Sequence, residues 1–178
     1  HTLPSGSDTG ILLHTVLETI NFDEIKNLTT PTKFTNYILP MIAKTPFASW
    51  TPIIGEMFFH TFYTPLPDSS PPFCLADIKS TKIYRETEFL YPSDDLHFPN
   101  TTLHSGFVKG VIDLFFEYNG KYYLLDWKSN WLGPSKEYYN PSCLEEAMQA
   151  NQYHLQVNLY IEAMQRYLQL FDKRPFKE

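Results

Sequence analysis

The sequence predicts an α/β fold in which helices flank a mixed or largely antiparallel sheet. Three observations predict it. Helical periodicity occupies residues 10–45, the alternation typical of strands occupies residues 83–130, and helical periodicity returns from residue 142 to about 171. Helices that precede and follow a block of strands are typical of layered proteins in which helices pack on a sheet.

The first helical pattern spans residues 10–27 and opens at Gly10. Its apolar stripe is formed by Leu13, Val16, Leu17 and Ile20. His14 lies on or beside that stripe, where a histidine is by default an ordinary core or surface residue. A second helix is predicted over residues 33–45, because a helix usually stops before a proline and Pro46 follows.

Residues 46–82 are rich in proline and serine. They contain two short apolar pieces, MFFHTFY and FCLADI, and a predicted loop, PLPDSSPP, lies between them. Residues 83–91 alternate and predict a strand that carries Glu86 and Glu88, for which solvated edge charges are the simplest interpretation. Residues 92–104 predict a polar loop.

A hairpin is predicted over residues 106–130, because Asn119-Gly120 matches the type I′ turn and its flanks are rich in aromatic and β-branched residues. With that two-residue loop, Phe116 faces Tyr123 and Asp113 faces Asp126. Opposed residues share a face of the sheet, and Lys128 follows Asp126 on the same face. The register alone therefore brings two carboxylates and one ammonium group together.

Two facing carboxylates repel each other unless a cation lies between them. Mg²⁺ is commonly bound by one or two carboxylates together with water and phosphate oxygens, so the hairpin predicts a divalent-metal site beside a lysine. A solvent-exposed sheet face with a surface salt bridge is the alternative. A longer turn would also shift the register by one residue.

The last helical pattern begins after Asn140-Pro141, where Ser142 and Glu145 fit a capping box. Gln156 and Tyr160 share a face of this helix, with Tyr153 one turn earlier. Such residues can contact a phosphate or a base edge, although ordinary helix surface is the more frequent explanation. Trp127 and Trp131 flank the acid-x-lysine element and are read as packing residues, with stacking on a base as the alternative.

Composition describes a globular protein. The 178 residues are 43% hydrophobic and 16% aromatic, and no run approaches a membrane span. The net charge of −6 argues against a nucleic-acid binder that depends on a basic patch alone. Cys74 and Cys143 lack disulfide-framework and metal-ligand spacing, which indicates a reducing, cytoplasmic compartment. The polar start, HTLPSGSDTG, is not expected to be a signal peptide, and no Walker A pattern occurs.

An aspartate followed at a distance by Asp/Glu-x-Lys is the pattern of the PD-(D/E)xK nucleases. GFVKGVIDLFFEYNGKYYLLDWKSNWLG, residues 106–133, closely resembles the nuclease motif of the bacterial RecB family. The segments GILLHTVLE, RETEFLYP and YHLQVNLYIEAMQRYL are similar to other helices and a strand of the same family, so the resemblance spans roughly residues 10–170. It implies a restriction-endonuclease-like core and a single nuclease domain over residues 1–178, without the family's helicase domains and without the strand that follows its last helix.

The resemblance also implies an activity, that of a Mg²⁺-dependent exodeoxyribonuclease of the exodeoxyribonuclease V type, and a set of site residues. Metal ligands are implied at His14, Asp113, Asp126 and the backbone carbonyl of Trp127. Lys128 is implied to act on the attacking water and on the charge of the phosphate. DNA-backbone contacts are implied at Gln156, Tyr160 and Tyr153, with Glu88, in preference to Glu86, in a supporting role. Mn²⁺ or Ca²⁺ is expected to replace Mg²⁺ in binding.

The implied partners are single-stranded DNA from unwound duplex ends, RecC- and RecD-like subunits, and the RecA recombinase. A non-catalytic module that docks RecA or a partner subunit is the alternative from a different class. An intact set of acids and lysine favours the enzyme. A nuclease subunit of the AddAB type that carries an iron–sulfur cluster is disfavoured, because two cysteines cannot supply four thiolates.

Overall fold

The computed structural model describes residues 3–67, 69, 71–93, 96–98, 101–102 and 105–172. Parts of two predicted loops lie outside the described residues: positions 68 and 70 of PLPDSSPP, and positions 94–95, 99–100 and 103–104 of the 92–104 loop. The terminal PFKE also lies outside them. The helices are α1 (Ser7–Thr19), α2 (Phe22–Ile25), α3 (Pro31–Ile42), α4 (Thr51–Tyr63), α5 (Pro141–Ala150) and α6 (Tyr153–Leu168). The strands are β1 (Ile83–Pro92), β2 (His97–Phe98), β3 (Thr101–Thr102), β4 (Phe107–Tyr118) and β5 (Lys121–Leu125).

Helices and strands combine into the mixed α/β architecture that the sequence predicts, with a three-stranded sheet in the order β1-β4-β5. The chain divides into two compact units. The first comprises residues 1–85, 115–123 and 127–129, and the second comprises residues 86–114, 124–126 and 130–178. The single nuclease domain expected over residues 1–178 stays a prediction. No helix in the described part of the chain is long and apolar enough to cross a membrane.

The first unit buries its apolar side chains between helices. α3 packs along α4, and the rings of Phe34 and Phe62 stack with centroids 5.6 Å apart. Phe22 meets the edge of Phe62 at 5.3 Å. The buried face of α1 consists of Thr9, Leu12, Leu13, Val16 and Leu17. These spacings are those of a helix that presents one stripe to a core.

The first helical pattern is interrupted, in contrast to the single helix predicted over residues 10–27. α1 begins at Ser7 and ends at Thr19, where Ile20 turns to extended backbone (φ −57°, ψ 130°). Asn21 then caps α2 by accepting a hydrogen bond from the Asp23 backbone N–H. The cap offers the chain a new helix start, which periodicity alone does not reveal.

Prolines caused the other errors in the first unit. α3 spans Pro31–Ile42 instead of 33–45: Thr30 caps it, Pro31 occupies its first turn, and Pro40 lies inside it. α4 was not predicted, because the proline-rich surroundings of residues 46–82 resemble a loop. Pro52 in fact lies in the first turn of α4, where a proline gives up no intrahelical hydrogen bond.

The predicted turn of the hairpin is confirmed, but its second strand is shorter than predicted. Asn119 and Gly120 have φ of 49° and 75°, as a type I′ turn requires. The rings of Phe116 and Tyr123, which the predicted register pairs, stack with centroids 5.0 Å apart. β5 ends at Leu125, so the expected extension to residue 130 is wrong and Asp126 follows the strand. The backbone carbonyl of Trp127 lies against a histidine instead of a strand partner.

The second unit packs α6 against β1. The Tyr91 hydroxyl donates to the Leu159 carbonyl at 3.0 Å, and Tyr91, Leu96 and Ala163 form a buried cluster. Strand β1 confirms the prediction for residues 83–91. The expected polar loop contains a two-residue antiparallel ribbon, in which His97 pairs with Thr102 and Phe98 with Thr101.

The expected single helix from residue 142 to 171 is two helices. α5 ends at Ala150, and Gln152 adopts the left-handed conformation (φ 55°, ψ 30°) before α6 begins. The predicted capping box is also wrong. Asn140 is the cap, since its side chain accepts from the Cys143 backbone N–H and Pro141 occupies the first turn.

Candidate active site

In the first unit, α1 carries His14 to the backbone of the segment that follows β5. The His14 Nε2 atom lies 3.0 Å from the carbonyl oxygen of Trp127. Gly10 lies one turn earlier on the same helix, and a Cβ atom there would stand 3.2 Å from the Ser129 hydroxyl. The absence of a side chain at Gly10 thus allows the close approach that brings His14 to Trp127.

The position of Trp127 is held by packing on its other side. Its half-buried indole lies 6.5 Å, centroid to centroid, from the buried ring of Phe62 on α4. A packed indole limits the freedom of the backbone that carries it. The structure therefore brings His14 and the Trp127 carbonyl together, and their role as metal ligands stays a prediction.

In the second unit, the Asp126 carboxylate is held by two side chains of α6. Gln156 Nε2 donates to Asp126 Oδ1 at 2.8 Å and to the Tyr160 hydroxyl at 2.7 Å. The Tyr160 hydroxyl donates to the Val111 carbonyl at 2.6 Å and lies 3.3 Å from the same Asp126 oxygen. Both amide hydrogens of Gln156 are used, so α6 fixes the carboxylate with a connected network.

Burial raises the pKa of Tyr160 most, while the Gln156 hydrogen bond lowers it and the charges of Asp113 and Glu86 raise it. The phenol therefore stays protonated at neutral pH and remains a donor. Asp113 is half-buried on β4, and its charge acts on the same hydroxyl that touches Asp126. Asp126 thus contacts the Tyr160 hydroxyl, and Asp113 acts on it through its charge.

Of the two glutamates on β1, Glu86 acts on Tyr160. It is exposed and has a φ of 43°, a conformation that non-glycine residues seldom adopt in a strand. Glu88, which was favoured from the sequence, is also exposed, and its supporting role stays a prediction. Alternation of residue types carries no signal for a positive φ, so the sequence could not have singled out Glu86.

Lys128 and Tyr153 are the remaining predicted site residues. Lys128 is exposed and follows the end of β5, and its role in catalysis stays a prediction. The Tyr153 hydroxyl donates to Asn130 Oδ1 at 3.1 Å, so Tyr153 holds the segment that follows Lys128. Asn130, Gly10 and the Val111 carbonyl were not predicted. Only the four-residue spacing of Gly10 and His14 offered a sequence signal for any of them.

Within the described ranges, no three His, Cys, Asp or Glu side chains form a cluster able to hold a metal ion by themselves. The grouping of His14, Asp113 and Asp126 around one cation therefore stays a prediction. A hard divalent cation does not require such a cluster, since Mg²⁺ keeps several waters and is usually held by one or two carboxylates. Carboxylate and backbone carbonyl are donor types that suit Mg²⁺, Ca²⁺ or Mn²⁺, whereas imidazole favours transition metals, and the identity of the cation stays a prediction.

Comparison with known proteins agrees with the resemblance found in the sequence. No family model matches the chain. The chain is 35% identical over 96% of its length to RecBCD enzyme subunit RecB of Chlamydia pneumoniae, and 30% identical over 94% to that of Escherichia coli (strain K12). It is 32% identical over 94% to that of Borreliella burgdorferi. The chain spans about 15% of the length of these relatives, and it is a homologue of a segment of the RecB subunit.

Proposed function

We propose that this chain is a DNA nuclease that hydrolyses phosphodiester bonds with the help of a divalent cation. The proposed ligands of the cation are His14, Asp113, Asp126 and the backbone carbonyl of Trp127. Mg²⁺ is the proposed cofactor, with Mn²⁺ or Ca²⁺ able to replace it in binding. When bound, the cation would polarise the scissile phosphate and lower the pKa of an attacking water.

The observation that carries the proposal is the approach of His14 to Trp127. In an octahedral site with metal–ligand distances of about 2.1 Å, neighbouring ligand atoms lie about 3 Å apart. The His14 Nε2 atom and the Trp127 carbonyl oxygen are 3.0 Å apart. This contact has the geometry of a hydrogen bond. We propose that a cation replaces it when bound, because two adjacent ligands of one cation would lie at about the same separation.

The Asp126 network supports the same proposal. A carboxylate has about four lone-pair sites, so Asp126 can accept the Gln156 hydrogen bond and still bind a cation. Ligating carboxylates are commonly oriented by such outer hydrogen bonds. Gln156 and Tyr160 thus hold the ligand, and we propose that they and Tyr153 also contact the DNA backbone.

Lys128 is proposed to stabilise charge during the reaction. It follows Asp126 by two residues, as in the PD-(D/E)xK pattern, and its side chain is exposed. An ammonium group can orient the attacking water and stabilise the charge that develops on the phosphate. Glu88 is proposed to support the site from β1.

The wider role is proposed from the relatives. Their name places RecB in the RecBCD enzyme, so RecC- and RecD-like subunits are proposed partners. Single strands from unwound duplex ends are the proposed substrate, double-strand-break repair and recombination the proposed process, and RecA a further proposed partner.

The deciding experiment measures digestion of linear single-stranded DNA by the 178-residue chain in Mg²⁺. Asp126→Ala and EDTA should each abolish cleavage, and excess Mg²⁺ should restore it after EDTA. Asp8→Ala, which removes an exposed acid from the first turn of α1, is the matched control and should cleave normally. A folded wild-type chain that binds Mg²⁺ without cleaving would contradict the nuclease and favour the docking module.

The division of roles between Asp126 and Lys128 is tested by calorimetric titration with Mn²⁺. Asp126→Ala should weaken cation binding, whereas Lys128→Ala should leave it unchanged and slow cleavage by about 100-fold or more. Lys121→Ala, an exposed lysine at the start of β5, is the control for loss of charge. Equal loss of cation affinity in the Asp126 and Lys128 variants would refute this division.

A further inference from the structure

Trp131 is 63% exposed, although the segment around it is firmly held. We propose that its indole is a stacking platform for one nucleobase of the single-stranded DNA that the chain cleaves. The proposal deepens the proposed nuclease function and rests on it. It adds a DNA-binding residue that acts on a base, where the residues considered above act on the cation and the phosphate.

Both neighbours of Trp131 are hydrogen-bonded to tyrosine hydroxyls, Asn130 through its side chain and Leu132 through its backbone. On one side, the Tyr153 hydroxyl donates to Asn130 Oδ1 at 3.1 Å. On the other side, the Leu132 backbone N–H donates to the Tyr139 hydroxyl at 3.2 Å. Trp131 is therefore exposed within an ordered segment. Such a residue loses little conformational entropy when it binds a ligand.

The loop beyond Trp131 is closed on itself by packing. Gly133 is buried, and a Cβ atom there would lie 2.1 Å from the Tyr138 ring, a distance that no side chain can occupy. The loop then passes through a short 3₁₀ turn (Lys136–Tyr139) to the Asn140 cap of α5. Tyr138 and Tyr139 thus hold the loop in shape, while the indole of Trp131 is left available.

The place of Trp131 in the chain sets which part of the substrate it would meet. Trp131 follows Asp126 by five positions, and a chain of that length spans at most about 18 Å. Tyr153, which holds Asn130, and Gln156, which holds Asp126, lie within one turn of each other on α6. The platform and the carboxylate are therefore fastened to the same helix, and the base met by Trp131 lies a few nucleotides from the cleaved bond.

The chemistry of an exposed, fixed indole selects a single strand as its occupant. Bases in a duplex are stacked on each other and offer no free face, whereas a single strand can present any base to an aromatic ring. Stacking does not depend on a basic surface, which suits a chain with a net charge of −6. It is also tolerant of sequence, as degradation of arbitrary DNA would require.

The test compares oligothymidylate with an oligonucleotide of equal length in which several central nucleotides are abasic. Binding is measured in EDTA, where the substrate stays intact, by fluorescence anisotropy of the oligonucleotide. Trp131→Ala should weaken binding of oligothymidylate by about 5- to 150-fold. It should change binding of the abasic oligonucleotide little, and Trp131→Phe should recover most of the affinity for oligothymidylate.

Phe171→Ala is the matched control, since Phe171 is 58% exposed and follows the end of α6. It should bind both oligonucleotides as the wild type does. Quenching of the intrinsic tryptophan fluorescence by oligothymidylate should also decrease in Trp131→Ala, although Trp50 and Trp127 remain. Circular dichroism and the thermal unfolding midpoint should be unchanged in Trp131→Ala, because an exposed indole contributes little to the core.

Three outcomes would overturn the proposal. The first is an equal affinity of the wild type and Trp131→Ala for oligothymidylate. The second is an equal loss on the abasic oligonucleotide, which would assign Trp131 to backbone or protein contacts. The third is a wild-type chain that does not bind single strands. Cleavage in Mg²⁺, assayed in parallel, decides the nuclease function separately: a variant that cleaves with undiminished affinity refutes the platform and leaves the nuclease standing.

Discussion

At the scale of single residues, the site depends on side chains that orient other groups. Gln156 has no proposed chemical step, yet its amide joins Asp126 to Tyr160. His14 owes its position to the missing side chain of Gly10. In the proposed nuclease, substitution of an orienting residue would act mainly on cation binding and cleavage and would leave the fold little changed.

Gln156→Leu should lower cation affinity or cleavage by about 10- to 100-fold, because it removes both hydrogen bonds that the amide makes while retaining much of its volume. Calorimetry with Mn²⁺ and the digestion assay would measure the two effects. Gln149→Leu on α5, which removes only an exposed bond to Glu145, is the control. A Gln156→Leu variant with wild-type cation affinity and wild-type rate would contradict the orienting role.

His14→Ala should lose more affinity for Mn²⁺ than for Ca²⁺. Imidazole is a better ligand for transition metals, while Ca²⁺ prefers oxygen and gains little from a nitrogen donor. Titration of both ions into both proteins would give the two ratios. His60→Ala, an exposed histidine on α4, should bind both ions as the wild type does. Equal losses for the two ions would argue against a bond between His14 and the cation.

At the scale of elements, the spacing between α1 and the segment after β5 controls the position of His14 relative to the Trp127 carbonyl. Gly10 faces the Ser129 hydroxyl, and even a methyl group there would stand 3.2 Å away. A larger side chain must push the helix or the segment aside, and His14 would leave the Trp127 carbonyl. An element-level displacement of this kind is transmitted because the interior is close-packed.

Gly10→Val should therefore reduce Mn²⁺ affinity while α1 remains folded, since the rest of its buried face is unchanged. Gly10→Ala should have a smaller effect, because its neighbour needs to move only slightly. Cation titration of the two variants, with circular dichroism to confirm helix content, tests this order. An unchanged affinity in Gly10→Val would show that the approach of α1 to Ser129 does not matter for the site.

The elements also show what the sequence could and could not predict. The β4–β5 hairpin was predictable because Asn119-Gly120 determines the turn locally. Gln156 and Tyr160 were predictable as neighbours because helical spacing places them on one face. α4 was missed because its prolines resemble loop residues, and Pro52 is tolerated only through its place in the first turn.

The break between α5 and α6 was missed for a different reason. Gln152 adopts a left-handed conformation that is uncommon for residues other than glycine and asparagine. A glutamine therefore gives no sequence signal for this conformation. β5 ends at Leu125, and two residues later the Trp127 carbonyl contacts His14, which lies far away along the chain. Sequence patterns over a few residues cannot predict contacts between residues that lie far apart in the chain.

At the scale of the whole molecule, buried phenols couple the stability of the fold to alkaline pH. Burial raises the pKa of Tyr91 to about 12, with a further contribution from the charge of Glu162. In the unfolded chain a tyrosine ionises near pH 10. The folded state therefore holds its proton where the unfolded state releases it, and stability falls as the pH rises from about 10 to about 12.

Tyr91→Phe isolates this contribution. Near neutral pH the variant should be less stable by about 1 kcal/mol, because it lacks the hydrogen bond to the Leu159 carbonyl. The difference should shrink as the pH rises from about 10 to about 12, since the phenylalanine variant has no proton to lose at this position. Urea unfolding of both proteins across this range provides the measurement. A difference that stays constant with pH would contradict the assigned cause.

The Asn119-Gly120 turn has a consequence for the chemical ageing of the protein. Asn119 is exposed, and the residue after it has no side chain to hinder attack of its backbone nitrogen on the asparagine amide. The attack closes a succinimide and expels ammonia, and water then opens the ring to an aspartyl or isoaspartyl carboxylate, so the net charge moves from −6 to −7. In the isoaspartyl product the main chain gains a methylene within a two-residue turn. A stored sample would separate into two charge forms, and the aged form would carry an altered connection between β4 and β5.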